Sequence, residues 1–126
     1  MANQTILEQS ILDTIKHKLN LMADYTPFDT DVIIDINSAF ARLHQLGVGP
    51  DTVFSISDNS SIWSNFIADE RINSVVDYVY IKTQLLFDPP TNASLTGLKK
   101  EQLAELEWTL KVVSEEIREE NKEEGD

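Results

Sequence analysis

No cysteine occurs in the 126 residues. That absence excludes a disulfide scaffold, a thiol nucleophile, a zinc knuckle and an iron-sulfur site held by thiolates, and it fits a reducing compartment. Basic residues are scarce as well: 10 Lys and Arg face 22 Asp and Glu, giving a formal net charge of -12 with both histidines neutral. Phosphate contacts need a surplus of Lys and Arg, so a general nucleic-acid binder or an anionic-membrane binder is disfavoured. Long apolar runs are missing too. The longest is Tyr78-Val79-Tyr80-Ile81, far short of the roughly 20 residues a spanning helix needs. The start, Met1 to Thr5, lacks a basic stretch leading into an apolar one, so neither export by a standard signal nor membrane insertion is expected. What remains is ample core material, with 41% hydrophobic and 8% aromatic residues. At this length folding buries roughly two-thirds of the unfolded chain's surface, which implies one globular domain.

The hydrophobic spacing is helical along most of the chain. Thr5 with Glu8 reads as a capping box opening a helix over about residues 6 to 21, with Leu7, Ile11, Leu12, Ile15 and Leu19 on one face. The stretch Asp24-Tyr25-Thr26-Pro27 ends it. Asp29 or Thr30 caps a second helix through Ile33, Ile36, Phe40 and Leu43, which Gly47 terminates just after Leu46. A short extended piece is expected between Asp51 and Ile56, then polar turn chemistry, then a short helix carrying Ile62, Trp63, Phe66 and Ile67. The most apolar helix, about 70 to 87, follows a cap at Asp69. Its apolar residues cover most of its circumference, which places it at the centre of a bundle. After Asp88-Pro89-Pro90, a polar loop from Thr91 to Gly97 leads to a last helix over about Lys99 to Arg118. There Leu103, Leu106, Leu110, Val113 and Ile117 alternate steps of three and four, the seam of a helix lying against one partner. Residues 115–126 hold six Glu and one Asp against Arg118 and Lys122, a net of -5, leaving -7 on the body. These readings define an all-α, compact bundle of four main helices plus one short helix over 1–114, and a flexible acidic tail over 115–126.

A search for chemistry returns little. Gly47-Val48-Gly49 begins like a phosphate loop, but Thr52 stands where a third glycine belongs, Pro50 removes a donor amide, and the turn follows a helix. His17 and His44 have no second ligand at metal spacing, and the acids Asp24, Asp29, Asp31 and Asp35 run into Val32-Ile33-Ile34 rather than a calcium loop. No catalytic residue, cofactor or metal is expected. Large aromatics are the features left over. Trp63 and Phe66 on the short helix read mainly as core, whereas Trp108 lies off the seam of the last helix and can be offered to a second surface. The candidate assembly contacts are Val48, Phe54, Trp63, Phe66, Trp108, Val113, Glu115 and Glu116.

Several segments, in order, carry a resemblance: Leu46-Gly47-Val48-Gly49-Pro50, Phe54-Ser55-Ile56, Trp63-Ser64-Asn65-Phe66, Tyr78-Val79-Tyr80-Ile81-Lys82, Leu85-Leu86-Phe87-Asp88-Pro89-Pro90 and Glu107-Trp108-Thr109-Leu110. Over about residues 6 to 114 the chain resembles the head-tail connector proteins of tailed bacteriophages, also called head-completion or adaptor proteins. Gln84 stands where the family pattern leads one to expect a basic residue. The resemblance implies a structural virion subunit, not an enzyme, that forms a homo-oligomeric ring, commonly of twelve copies. Such a ring docks on the portal protein and meets a stopper or tail component. DNA passes through it as cargo, and no membrane is involved. Its place would be the head-tail interface of the virion, after assembly in the host cytoplasm.

A ring needs two different complementary patches per subunit, and a wide apolar helix with spare aromatics can supply them. The carboxy-terminal segment from Val113 to Asp126 is expected to reach a neighbouring subunit or the portal and to order on binding. A rival reading from another class is an acidic inhibitor that mimics DNA. It needs a regular surface array of carboxylates, yet seven of the 22 lie within residues 115–126 and others serve as helix caps.

Overall fold

A computed structural model describes residues 5–124. Four helices form the fold: α1 (Ile11–Lys18), α2 (Asp29–Gln45), α3 (Ile72–Phe87) and α4 (Ala93–Glu124), with single 3-10 turns at Ile6–Glu8 and Trp63–Asn65. No strand occurs among the described residues, and the expected extended piece at 51–56 is irregular chain. Asn37 compensates there. Its side-chain amide donates to the Ile56 carbonyl at 3.0 Å and its oxygen accepts from the Ile56 amide at 2.8 Å, so one α2 residue replaces a strand partner.

The first helix is shorter than its periodicity predicts, for two separate reasons. At its start the backbone of residues 9–11 pairs with residues 61–63, through Ile11 N to Ser61 O at 3.0 Å and Trp63 N to Gln9 O at 3.2 Å. That pairing takes the amide groups a longer helix would use. Ser10, not Thr5, becomes the cap and accepts from Asp13 N at 3.2 Å. At its end Asn20 adopts φ 65°, with Asn20 N bonded to His17 O and Leu21 N to Lys16 O. This is the left-handed cap that asparagine tolerates, and it stops the helix well before Pro27. The same motif closes α2 as expected: Gly47 has φ 79°, its amide bonds to His44 O, and Val48 N bonds to Leu43 O at 2.9 Å. The α2 start differs, since Phe28 occupies the cap position and Asp29 lies inside the first turn.

α4 has 32 residues and departs most from expectation. At 1.5 Å per residue it is about 48 Å long. Asn92 Oδ1 accepts from Leu95 N at 3.1 Å and Asn92 O from Thr96 N at 3.0 Å, so the helix begins inside the supposed 91–97 loop and absorbs Gly97. Nothing lies near Gly97, so its tolerance is a matter of its exposed position. The other end is likewise helical through Glu124, where the sequence reads as an acidic tail. Glu, Lys and Arg are good helix formers, and Glu115 to Arg118 and Glu119 to Lys122 are favourable three-residue spacings. Gly125 and Asp126, like residues 1–4, lie outside the described residues.

α3 sits between α2 and α4, as its apolar circumference requires. Val75, Val79 and Tyr78 are fully buried on it, and Leu103 and Leu110 from the α4 seam close the other side. An aromatic knot fills the α2 side, where the Phe40 ring lies 4.6 Å from Phe66 and 4.9 Å from Phe54 between centroids.

Candidate assembly surfaces

The eight residues singled out in the sequence fall into two groups. Val48, Phe54, Trp63 and Phe66 come together in or against the core. The Trp63 indole N–H donates to Thr14 Oγ1 at 3.2 Å, which satisfies its one polar atom inside the fold. Val48, Trp63 and Phe66 are at most 5% exposed. They have almost no accessible surface to lose on association, and for Trp63 and Phe66 this is the core placement that their sequence context favours. Phe54 is half-buried against the same knot. Trp108, Glu115 and Glu116 are exposed on α4, and Val113 is half-buried on its seam. Trp108 stands out at 67% exposure. Ala104 and Val112 lie one turn to either side of it, so α4 offers a narrow apolar stripe between glutamates.

α4 is held by polar bonds that its hydrophobic seam does not announce. Glu107 accepts from Tyr78 Oη at 2.7 Å and from Arg42 Nη2 at 3.0 Å, and Arg71 Nη1 donates to Ser114 Oγ at 2.7 Å. Burial pushes the Glu107 carboxyl upward, but the donors Arg42 and Tyr78 more than offset this and leave it below the ordinary carboxylate value. Arg71 in turn holds Asp69 low through paired hydrogen bonds.

A second surface escapes the periodicity argument altogether. An open groove of about 600 Å³ lies where α1 ends, α2 starts and α3 ends. Its apolar walls come from Leu19, Leu21, Phe28, Ile34, Leu86 and Phe87, and its charged rim from Asp31, Asp35 and Asp88. Phe28 stacks edge-on to Phe87 with centroids 5.6 Å apart. Partial burial, with the charge of Asp31 beside it, raises the proton affinity of Asp35.

Lys16 builds one wall of this groove from behind. Its side chain is 1% exposed, and its ammonium forms an ion pair with Asp29 at 2.7 Å and donates to the carbonyls of Ala23 at 3.0 Å and Tyr25 at 2.7 Å. The segment between α1 and α2 is thereby pinned around a buried cation. The signals available in sequence were the adjacent Ile33-Ile34 and the run Leu85-Leu86-Phe87, each too wide for a single buried face. Lys16 has no such signal, because lysine is almost never fully buried.

Among the described residues, no group of three or more His, Asp or Glu is placed to hold a metal ion, and no helix is long and apolar enough to cross a membrane. Fold and surfaces together define an all-α domain whose distinctive outward features are apolar faces edged by carboxylates. The chain belongs to the phage connector protein family, whose model matches residues 11–117, almost the whole described domain. It is a structural protein of the phage connector type. Searches of the curated proteins and of the solved structures return no match.

Proposed function

We propose that the protein is a head-tail connector subunit, without enzymatic activity, that assembles as a ring on the portal and links the DNA-filled head to the tail. The observation that carries this reading is the family match across residues 11–117. Trp108 supports it, since a large aromatic left 67% exposed on a long helix is the type of residue that anchors protein interfaces. The charge of -12 is compatible with a channel: a ring around moving DNA should repel phosphate rather than grip it. The helical end of α4, including Val113, Glu115 and Glu116, is the proposed arm toward a neighbour or the portal. It is already helical through Glu124, so no ordering of that stretch on binding is invoked.

Light-scattering mass and electron micrographs of the protein, alone and mixed with its portal, test the reading. Rings seated on portal particles are expected, and a monomer that ignores the portal would overturn it. Deleting residues 115–126 should weaken portal attachment; unchanged attachment removes the role given to the arm.

A further inference from the structure

Most of the basic side chains in this acidic protein are committed internally or scattered: Lys16 is buried, Arg42 pairs with Glu107 and Arg71 with Asp69. Three gather at one place. Lys18 and Lys99 both lie over the Tyr80 ring, at 5.5 Å and 5.8 Å from its centroid, and Lys100 follows on the first turns of α4. Exposed leucines accompany them, with Leu98 at 62% and Leu95 at 45%. The start of α4 is therefore both apolar and basic, and the positive end of the helix dipole adds to the same sign. Its complement is the groove, where Phe28, Ile34 and Leu86 are 41 to 57% exposed and the rim carries Asp31, Asp35 and Asp88 with no cation among the lining residues.

We infer that the occupant of the groove is a second copy of this chain, which inserts the start of its α4, Leu95 and Leu98 first, with Lys99 and Lys100 meeting the aspartates. Neither half suits itself: two grooves would oppose carboxylates, and two α4 starts would oppose lysines. The contact therefore joins two different patches, and repeated head to tail it is the type of interface from which rings are built, whereas a reciprocal exchange between two copies would close a dimer. Lys16 contributes by fixing the segment that carries the Phe28 wall, so the groove exists before the partner arrives. The inference rests on the ring reading above and names its joint.

The natural absence of cysteine makes the test direct. Ile34→Cys and Leu98→Cys sit at exposed positions, so both variants should fold. Mixed and oxidised, they should give a cross-linked pair at least tenfold more abundant than either alone. Reversal at the rim (Asp31→Lys with Asp35→Lys) or at the helix (Lys99→Glu with Lys100→Glu) should abolish that product, and combining both reversals in one chain should restore it. Absence of the cross-link overturns this joint. Rings seen in micrographs of the same sample without the cross-link would leave the ring reading standing. A cross-link confined to closed two-copy particles would keep the joint and remove the ring.

Discussion

Tyr78 and Glu107 share a 2.7 Å hydrogen bond between the most buried helix and the outermost one, and Arg42 on α2 meets the same carboxylate from the other side. One side chain therefore ties α2, α3 and α4 together. Burial first, and then the hydrogen bond to the neighbouring carboxylate, raises the Tyr78 pKa well above the ordinary phenol value, so the phenol is a donor at neutral pH.

The pH dependence of this link has a definite sign. Glu107 titrates below its ordinary value of 4.5 in the folded state, so its contribution is complete above that value and is lost as pH falls through the lower folded one. Glu107→Gln should cost about 1–3 kcal/mol at pH 7. The gap to the parent should shrink towards pH 3. Urea midpoints followed by circular dichroism at the two pH values measure it, and an equal gap at both would contradict the role given to the carboxylate.

Lys16 should be far less replaceable than its position in a short helix implies. Lys16→Met removes the cation from Asp29 and two carbonyls at once. Truncating one partner of a buried pair costs about 3–5 kcal/mol, and here the figure belongs at the lower end because Asp29 is 26% exposed and regains water. Hydrogen exchange should speed up at residues 21–26 before the rest of the chain. Uniform acceleration throughout would mean the lysine supports the fold generally and not this segment.

Two glycines in one turn should respond unequally to alanine. Gly47 and Gly49 both have positive φ, 79° and 95°, a strain of about 1–2 kcal/mol for alanine. At Gly47 an added Cβ meets the Arg118 guanidinium at 2.6 Å, the free end of a flexible side chain that can swing away. At Gly49 it meets the Phe66 ring, which is locked against Phe40. Gly49→Ala should therefore lower the thermal midpoint more than Gly47→Ala, and the reverse order would disprove the packing argument.

The existence and type of the main helices were legible because each buries a face with a regular period, as Leu103 and Leu110 do on α4. Boundaries were legible only where the stop is local. Gly47 announces its left-handed cap, but Asn20 does so weakly, and the pairing of residues 9–11 with 61–63 is tertiary and leaves no local trace. The polar stretch from Thr91 to Gly97 reads as a loop, so the start of α4 at the Asn92 cap was missed. The large aromatics were read in the right direction: Trp63 and Phe66, taken mainly as core, fill it, and Trp108, off its helix's period, is the exposed one. Val48, also offered as a contact, is buried beside them. The groove was only hinted at, by Ile33-Ile34 and Leu85-Leu86-Phe87, because three helix ends build it and neither segment shows that the other lies beside it.

Trp108 allows stability and association to be separated. Its side chain is 67% exposed and makes no hydrogen bond among the described residues, so Trp108→Ala should change unfolding free energy by no more than about 0.5 kcal/mol. Phe40→Ala, in the centre of the aromatic knot, should cost about 3–5 kcal/mol and serves as the opposite control. If Trp108 anchors a contact with a neighbour or the portal, its loss should weaken assembly by about 2 kcal/mol or more, near thirtyfold in affinity. Sedimentation of each variant with the portal reads that number directly. Normal attachment by Trp108→Ala would return the exposed tryptophan to an ordinary surface residue and shift the search for the anchor to the α4 arm and the groove.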